Sequence, residues 1–87
     1  MKENKIFTVS RDMFLQDVLK KRDYYLARIE GLKRSGRHRS FEYEGCRYRF
    51  QRASSLAECL LDGGVPSTHQ VTGYFGKGAR FEEEKNV

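Results

Sequence analysis

Between Phe14 and Leu32 the apolar residues recur at a helical period, and this stretch limits the fold more than any other feature of the chain. Phe14, Leu15, Val18, Leu19, Tyr25, Leu26, Ile29 and Leu32 fall within roughly 140° of arc at about 100° per residue, an amphipathic stripe that has to be covered. Ser10 or Asp12 can cap this helix, and the basic turn Lys33-Arg34 followed by Gly36 supplies its end. Gly31 can end or bend it earlier. Arg22 projects into the apolar arc, where its stem can snorkel, while Met13 and Tyr24 lie on the opposite face.

The material available to cover the stripe is thin. Leu, Ile, Val and Phe together supply 20 of the 87 residues, and the mean hydropathy is -0.77. Such a chain builds one small domain with a marginal core, one that leans on a partner. A core of this size rarely both holds itself together and buries a catalytic pocket, so the composition speaks against an enzyme. Cys46 and Cys59 are too few for a disulfide framework and read as reduced core residues. No apolar run approaches the ~18 residues a bilayer requires, and Met1 to Ser10 has no leader-like apolar region. The expected setting is the cytoplasm, of a host or within a virion.

After the helix, the spacing predicts a two-stranded antiparallel hairpin. With Glu44-Gly45 as a two-residue turn, Tyr43 opposes Cys46, Phe41 opposes Tyr48 and Arg39 opposes Phe50. One face then carries Phe41, Tyr43, Cys46, Tyr48 and Phe50, and the other pairs Glu42 with Arg47 and Ser40 with Arg49. The aromatics, interleaved with arginines, suit either a stacking platform for single-stranded nucleic acid or the cover for the first helix. The second use leaves the arginines as the working exterior.

Ser55 and Glu58 form a capping box that opens a second helix of about two turns, ended by Gly63-Gly64. The expected fold class is therefore α+β: a long N-terminal helix, the hairpin, and the short second helix, in the order αββα, over residues 1–64. Residues 65–87, with Pro66, Gly73, Gly76, Gly78, Tyr74, Phe75, Phe81 and the acidic end Glu82-Glu83-Glu84, read as a flexible arm that orders on a partner, or as a late hairpin around Gly76-Lys77-Gly78.

The formal charge is +5, and the excess sits in residues 31–52. There Lys33, Arg34, Arg37, Arg39, Arg47, Arg49 and Arg52 face only Glu42 and Glu44. That density is the footprint of a phosphate or an acidic protein partner, or else a solvated surface. The candidate binding residues are Arg34, Arg37, Arg39, Arg47, Arg49 and Arg52, together with Tyr74, Phe75 and Lys77 of the arm. His38, His69 and the two cysteines lack zinc-ligand spacing, and no acid neighbours His69 to make a catalytic pair. The run Gly73-Tyr74-Phe75-Gly76-Lys77-Gly78 lacks the preceding strand and following helix of a phosphate cradle. No catalytic residue, metal or cofactor is expected.

Leu32-Lys33-Arg34-Ser35-Gly36, then Tyr43-Glu44-Gly45-Cys46-Arg47-Tyr48-Arg49-Phe50, then Ser54-Ser55 opening a helix, resembles the small head-to-tail joining proteins of tailed phages, the lambda W-like family. The likeness covers about residues 24–62. It departs in a shorter second helix and in an extra segment, Lys5 to Val9, that suits a strand or a docking tail. The resemblance implies a structural protein that docks as a ring on the capsid vertex and offers residues 70–81 as a tail. The expected function is thus a non-enzymatic, basic, macromolecule-binding protein, most concretely a head-tail joining protein. Its partners would be other protein subunits, possible copies of itself among them, and DNA or RNA at the basic hairpin. The alternative is a nucleic-acid-binding regulator or a small phage-encoded modulator of a host complex.

Overall fold

A computed structural model describes residues 6–83. Lys5 of the expected extra segment, Glu84 of the acidic end, and residues 1–5 of the region read for a leader lie outside the described residues.

The elements run β1 (Phe7–Val9), α1 (Arg11–Arg34), α2 (Phe41–Leu61), α3 (Thr68–Phe75) and β2 (Ala79–Phe81). α1 forms as the stripe requires. The Ser10 hydroxyl accepts from the Met13 amide at 3.1 Å. The far end closes in a Schellman turn, with Arg37 N donating to Leu32 O at 2.8 Å and Gly36 N to Lys33 O at 3.0 Å. Gly36 takes φ +77 there, a left-handed conformation that glycine adopts without steric cost. Gly31 stays within the helix.

The expected αββα hairpin is not formed: residues 41–50 are the first half of a 21-residue helix. Tyr43, Cys46, Phe50, Ala53, Ala57 and Leu60 follow one another at intervals of three and four, the seam of a helix packed on another helix. The period-two reading of the aromatics used only five residues around a supposed turn, whereas the three-four interval persists over eighteen and recruits Ala53 and Ala57. Ser40 starts the helix by accepting from the Tyr43 amide at 3.1 Å, and Glu42 and Glu44 complement its N-terminal turn. Glu44-Gly45 is therefore helix interior. Ser55, expected to open a helix, lies well inside one.

The aromatics divide accordingly. Phe41 is 99% exposed and Tyr48 59%, while Tyr43 and Phe50 are half-buried against Ile29, Leu32 and Cys46. The expectation that all four turn inward fails at Phe41 and Tyr48.

The flexible arm is likewise replaced by structure. Ser67 caps α3 with a capping box: its hydroxyl accepts from Gln70 N at 3.1 Å, and Ser67 N donates to Gln70 Oε1 at 2.9 Å. Gly76-Lys77-Gly78 turns the chain into β2, which pairs in parallel with β1, Phe7 beside Ala79 and Val9 beside Phe81. Val9, Phe14, Val18, Leu56, Leu60, Val71 and Phe81 are all buried in one core. Phe14 lies at its centre, within 5.2 Å of the Phe75 ring and 5.3 Å of Tyr74.

Arg11 ties these parts together. Its Nη1 donates to Leu60 O at 2.7 Å, a last-turn carbonyl that also accepts from Gly63 N at 3.4 Å, and to Gly64 O at 2.9 Å just beyond the end of α2. Its Nε donates to Glu83 Oε2 at 2.9 Å, and its guanidinium lies 5.3 Å from the centre of the Phe81 ring. The Arg11 hydrogen bond holds the Glu83 carboxyl below its ordinary range, against a smaller opposing effect of desolvation.

Two outcomes test this fold. Gly45 in a helix interior costs up to about 1 kcal/mol relative to alanine, and an added Cβ would meet only the flexible Arg49 Nη1, at 3.3 Å. Gly45→Ala should therefore raise the urea midpoint; a hairpin turn requiring positive φ would give the opposite sign. Because the folded Glu83 is depressed, its contribution is full above the ordinary carboxylate range and is lost as pH falls through the folded value. Glu83→Gln should flatten the acid side of a melting-temperature profile below about pH 4.5, leaving pH 7 to 8 parallel to the parent.

Candidate anion-binding groove

Packing α3 across the α1–α2 pair leaves a groove of about 310 Å³ at their junction. α1 contributes Lys21 and Tyr25, one turn apart. α2 contributes Arg49, Arg52 and Leu56, and α3 contributes His69, Gln70, Gly73 and Tyr74. On α2, Arg49 and Arg52 flank the buried seam, so their stems border the core while their heads reach the opening. Leu56, 3% exposed, sits below them as apolar floor.

Three cations from two helices meet at this groove with no carboxylate in its lining. Arg11, Arg22, Arg28, Arg37 and Arg47 each pair with a carboxylate: Glu83, Asp23, Glu42, Glu42 and Glu44 respectively. Among the described residues Lys21, Arg49 and Arg52 have no such partner, and no Asp or Glu lines the groove. Among these residues none of the three is held in an ion pair, and although Asp17 stands near enough to act on Tyr74, cations outnumber it at the opening. Lys21 Nζ instead lies 4.6 Å from the centre of the Tyr74 ring. Burial pushes the Tyr74 phenol up, with Asp17 adding to the effect and Arg52 opposing it.

A second depression, of about 220 Å³, adjoins the first and shares Arg52 and Gln70 with it. Tyr48, Gln51 and Ser55 complete it. Arg52 Nη1 donates to Tyr48 Oη at 2.9 Å, which fixes the exposed Tyr48 ring along the outer wall.

Of the residues singled out in the sequence, the fold brings Arg49, Arg52 and Tyr74 to this site. Arg34 and Arg39 stand exposed at the tip of the α1–α2 pair. Arg37 is there too, held by Glu42 at 3.3 Å. Arg47 lies on another face, beside Tyr43 and Phe50. Phe75 packs on Phe14 and serves the core, and Lys77 is exposed in the turn before β2. Sequence reasoning missed Lys21, Tyr25, His69 and Gln70. The Ser67–Gln70 capping signature was present, however, and marks the helix that carries two of them.

Cys46 and Cys59 are free thiols, Cys46 buried. Among the described residues no cluster of His, Cys, Asp and Glu could hold a metal ion, and no helix is long and apolar enough to cross a membrane. Comparison of the chain with protein families, with curated proteins and with solved structures finds no match.

Tyr74 offers a spectroscopic check on this geometry. In an ultraviolet titration, Tyr74→Phe should remove a phenolate component that appears above the ordinary tyrosine range; loss of a component within that range would contradict the burial described here.

Proposed function

We propose that this protein is a small binding module for single-stranded nucleic acid, and that the groove between α1, α2 and α3 is its binding site. The observation that carries this reading is the convergence of Lys21, Arg49 and Arg52 on one opening without a carboxylate among its walls. Phosphates supply the matching charge, and arginine forks match phosphate oxygens in geometry. His69 adds a ring nitrogen at the same opening. Tyr48, exposed beside the groove, supplies a face on which a base can stack, an interaction worth about 1–3 kcal/mol per base. The shape also favours a single strand: the two depressions are local hollows, and the aromatic wall can be used only by a base freed from a duplex.

Nucleic acid is the cytoplasmic partner this chemistry fits, which agrees with the setting expected from the sequence. The head-tail joining role was drawn from a resemblance that leaned on a hairpin at residues 39–50. Residues 41–50 are helix, so ring assembly becomes an outcome of the test rather than its premise.

The test is fluorescence anisotropy with a labelled oligonucleotide of about ten nucleotides, titrated with salt. Affinity should fall steeply with salt, with a slope of about -0.7 for each phosphate neutralised. Arg49→Ala combined with Arg52→Ala should reduce that slope by about 1.4 and weaken binding at fixed salt. Arg34→Ala with Arg39→Ala at the tip should change it far less. Equal losses from the two pairs, or no binding at low salt with ring formation at high protein concentration, would overturn the proposal.

A further inference from the structure

We infer that the face of the α1–α2 pair turned away from the groove is a homodimer interface, where α1 of a second copy packs antiparallel across α1 with the crossing centred on Leu26. The inference is independent of the groove reading. Lys21 and Leu26 are five residues apart, about 140° around the helix, so the two surfaces point to different sides.

This face lacks a third layer. The core that α3 and β2 complete lies at one end of the pair. Toward the tip, the smaller core of Ile29, Leu32 and Cys46 has only residues of α1 and α2 to cover it, and the molecule is 18 Å deep in its thinnest direction. A hollow of about 230 Å³ opens there, between Leu26 and Ile29 of α1 and Tyr43 and Phe50 of α2. Leu26 borders it and is 39% exposed.

The order of charges identifies what covers the hollow. Arg22, Leu26 and Glu30 stand one turn apart, on a single i, i+4 ridge of α1. Arg22 falls within the apolar arc, where a monomer has little use for a cation, and its ion pair among the described residues is with its sequence neighbour Asp23, at 3.6 Å. Glu30 is exposed and has no cationic partner among the described residues. Arg22 and Glu30 lie about 12 Å apart along the helix axis, too far to pair with each other.

A base and an acid placed four residues either side of a leucine are self-complementary under a twofold axis. When the i±4 ridges of two copies interdigitate in antiparallel sense, Leu26 enters the hollow of the second copy. Arg22 then meets Glu30 of the second copy, and Glu30 meets its Arg22, as an isologous contact requires. Both pairs flank an apolar contact that excludes water, where opposite charges gain more than at an open surface. A second copy carries the matching charge order by necessity.

Sedimentation equilibrium of the full chain should show a dimer whose population rises with protein concentration. Arg22→Glu or Glu30→Arg sets like charges against each other at both contacts, since the twofold counts each change twice, and each should weaken association about a hundredfold. Thermal unfolding checks that each variant is folded. Mixing the two variants in equal amounts restores an acid opposite a base at both contacts and should return the dimer, as should the chain carrying both changes. A parent that stays monomeric, leaving the face to some other protein, or one that closes into a larger ring would overturn the inference. Single variants that associate like the parent, or a mixture that stays monomeric, would overturn it as well.

Discussion

Much of this fold depends on one guanidinium. Arg11 stands at the first position of α1, yet most of its hydrogen bonds run to the end of α2 and to Glu83. A helix end leaves carbonyls without partners, and burying them unpaired is costly. Arg11 bonds Leu60 O in the last turn of α2 and Gly64 O just past it, and so fixes where α2 stops relative to where α1 starts. With both ends of the helix pair positioned, α3 and β2 can close over Phe14, and the groove at their junction has its walls. The same end of α2 admits little else. Gly63 takes φ +87, and a Cβ on Gly64 would approach Cys59 Sγ to 2.7 Å.

The sequence was legible where one period ran long enough to exclude the other. α1 was read nearly to its ends, because eight apolar positions over nineteen residues admit no strand and both caps use common chemistry. At residues 39–50 a short alternation and a plausible turn agreed with each other, and cross-strand charge pairing reinforced them. The longer three-four interval ran through alanines and a cysteine, which carry weak hydrophobic signals, and so was masked. α3 was obscured for a different reason: Gly73, Gly76 and Gly78 suggested flexibility, although Ser67 and Gln70 already encoded a capped start. The parallel pairing of β1 with β2 joins three-residue strands from distant parts of the chain, and local pattern says nothing about such a partner.

The site was half visible for the same reasons. Charge density drew attention to residues 31–52, and two of its arginines do line the groove. Density could not separate arginines that glutamates occupy from those left open, because pairing is a tertiary property: Arg28 meets Glu42 across the α1–α2 interface. Lys21 lay outside the dense segment altogether. What makes the groove is the meeting of one cation from α1 with two from α2 and the start of α3, a juxtaposition that required the helix pair first.

The β1–β2 ladder has a consequence for how the chain reaches this state. Phe7 and Ala79 are partners, and so are Arg11 and Glu83, 72 residues apart. Closing so long a loop is entropically expensive and comes late in folding. On a ribosome, the helix pair would emerge and associate with Phe14 still lacking the rings of Tyr74, Phe75 and Phe81, and the sheet could not zip until residue 81 had cleared the exit. During that interval the nascent chain shows an aromatic surface that chaperones are built to hold, so its yield in a cell should depend on their supply as well as on its final stability.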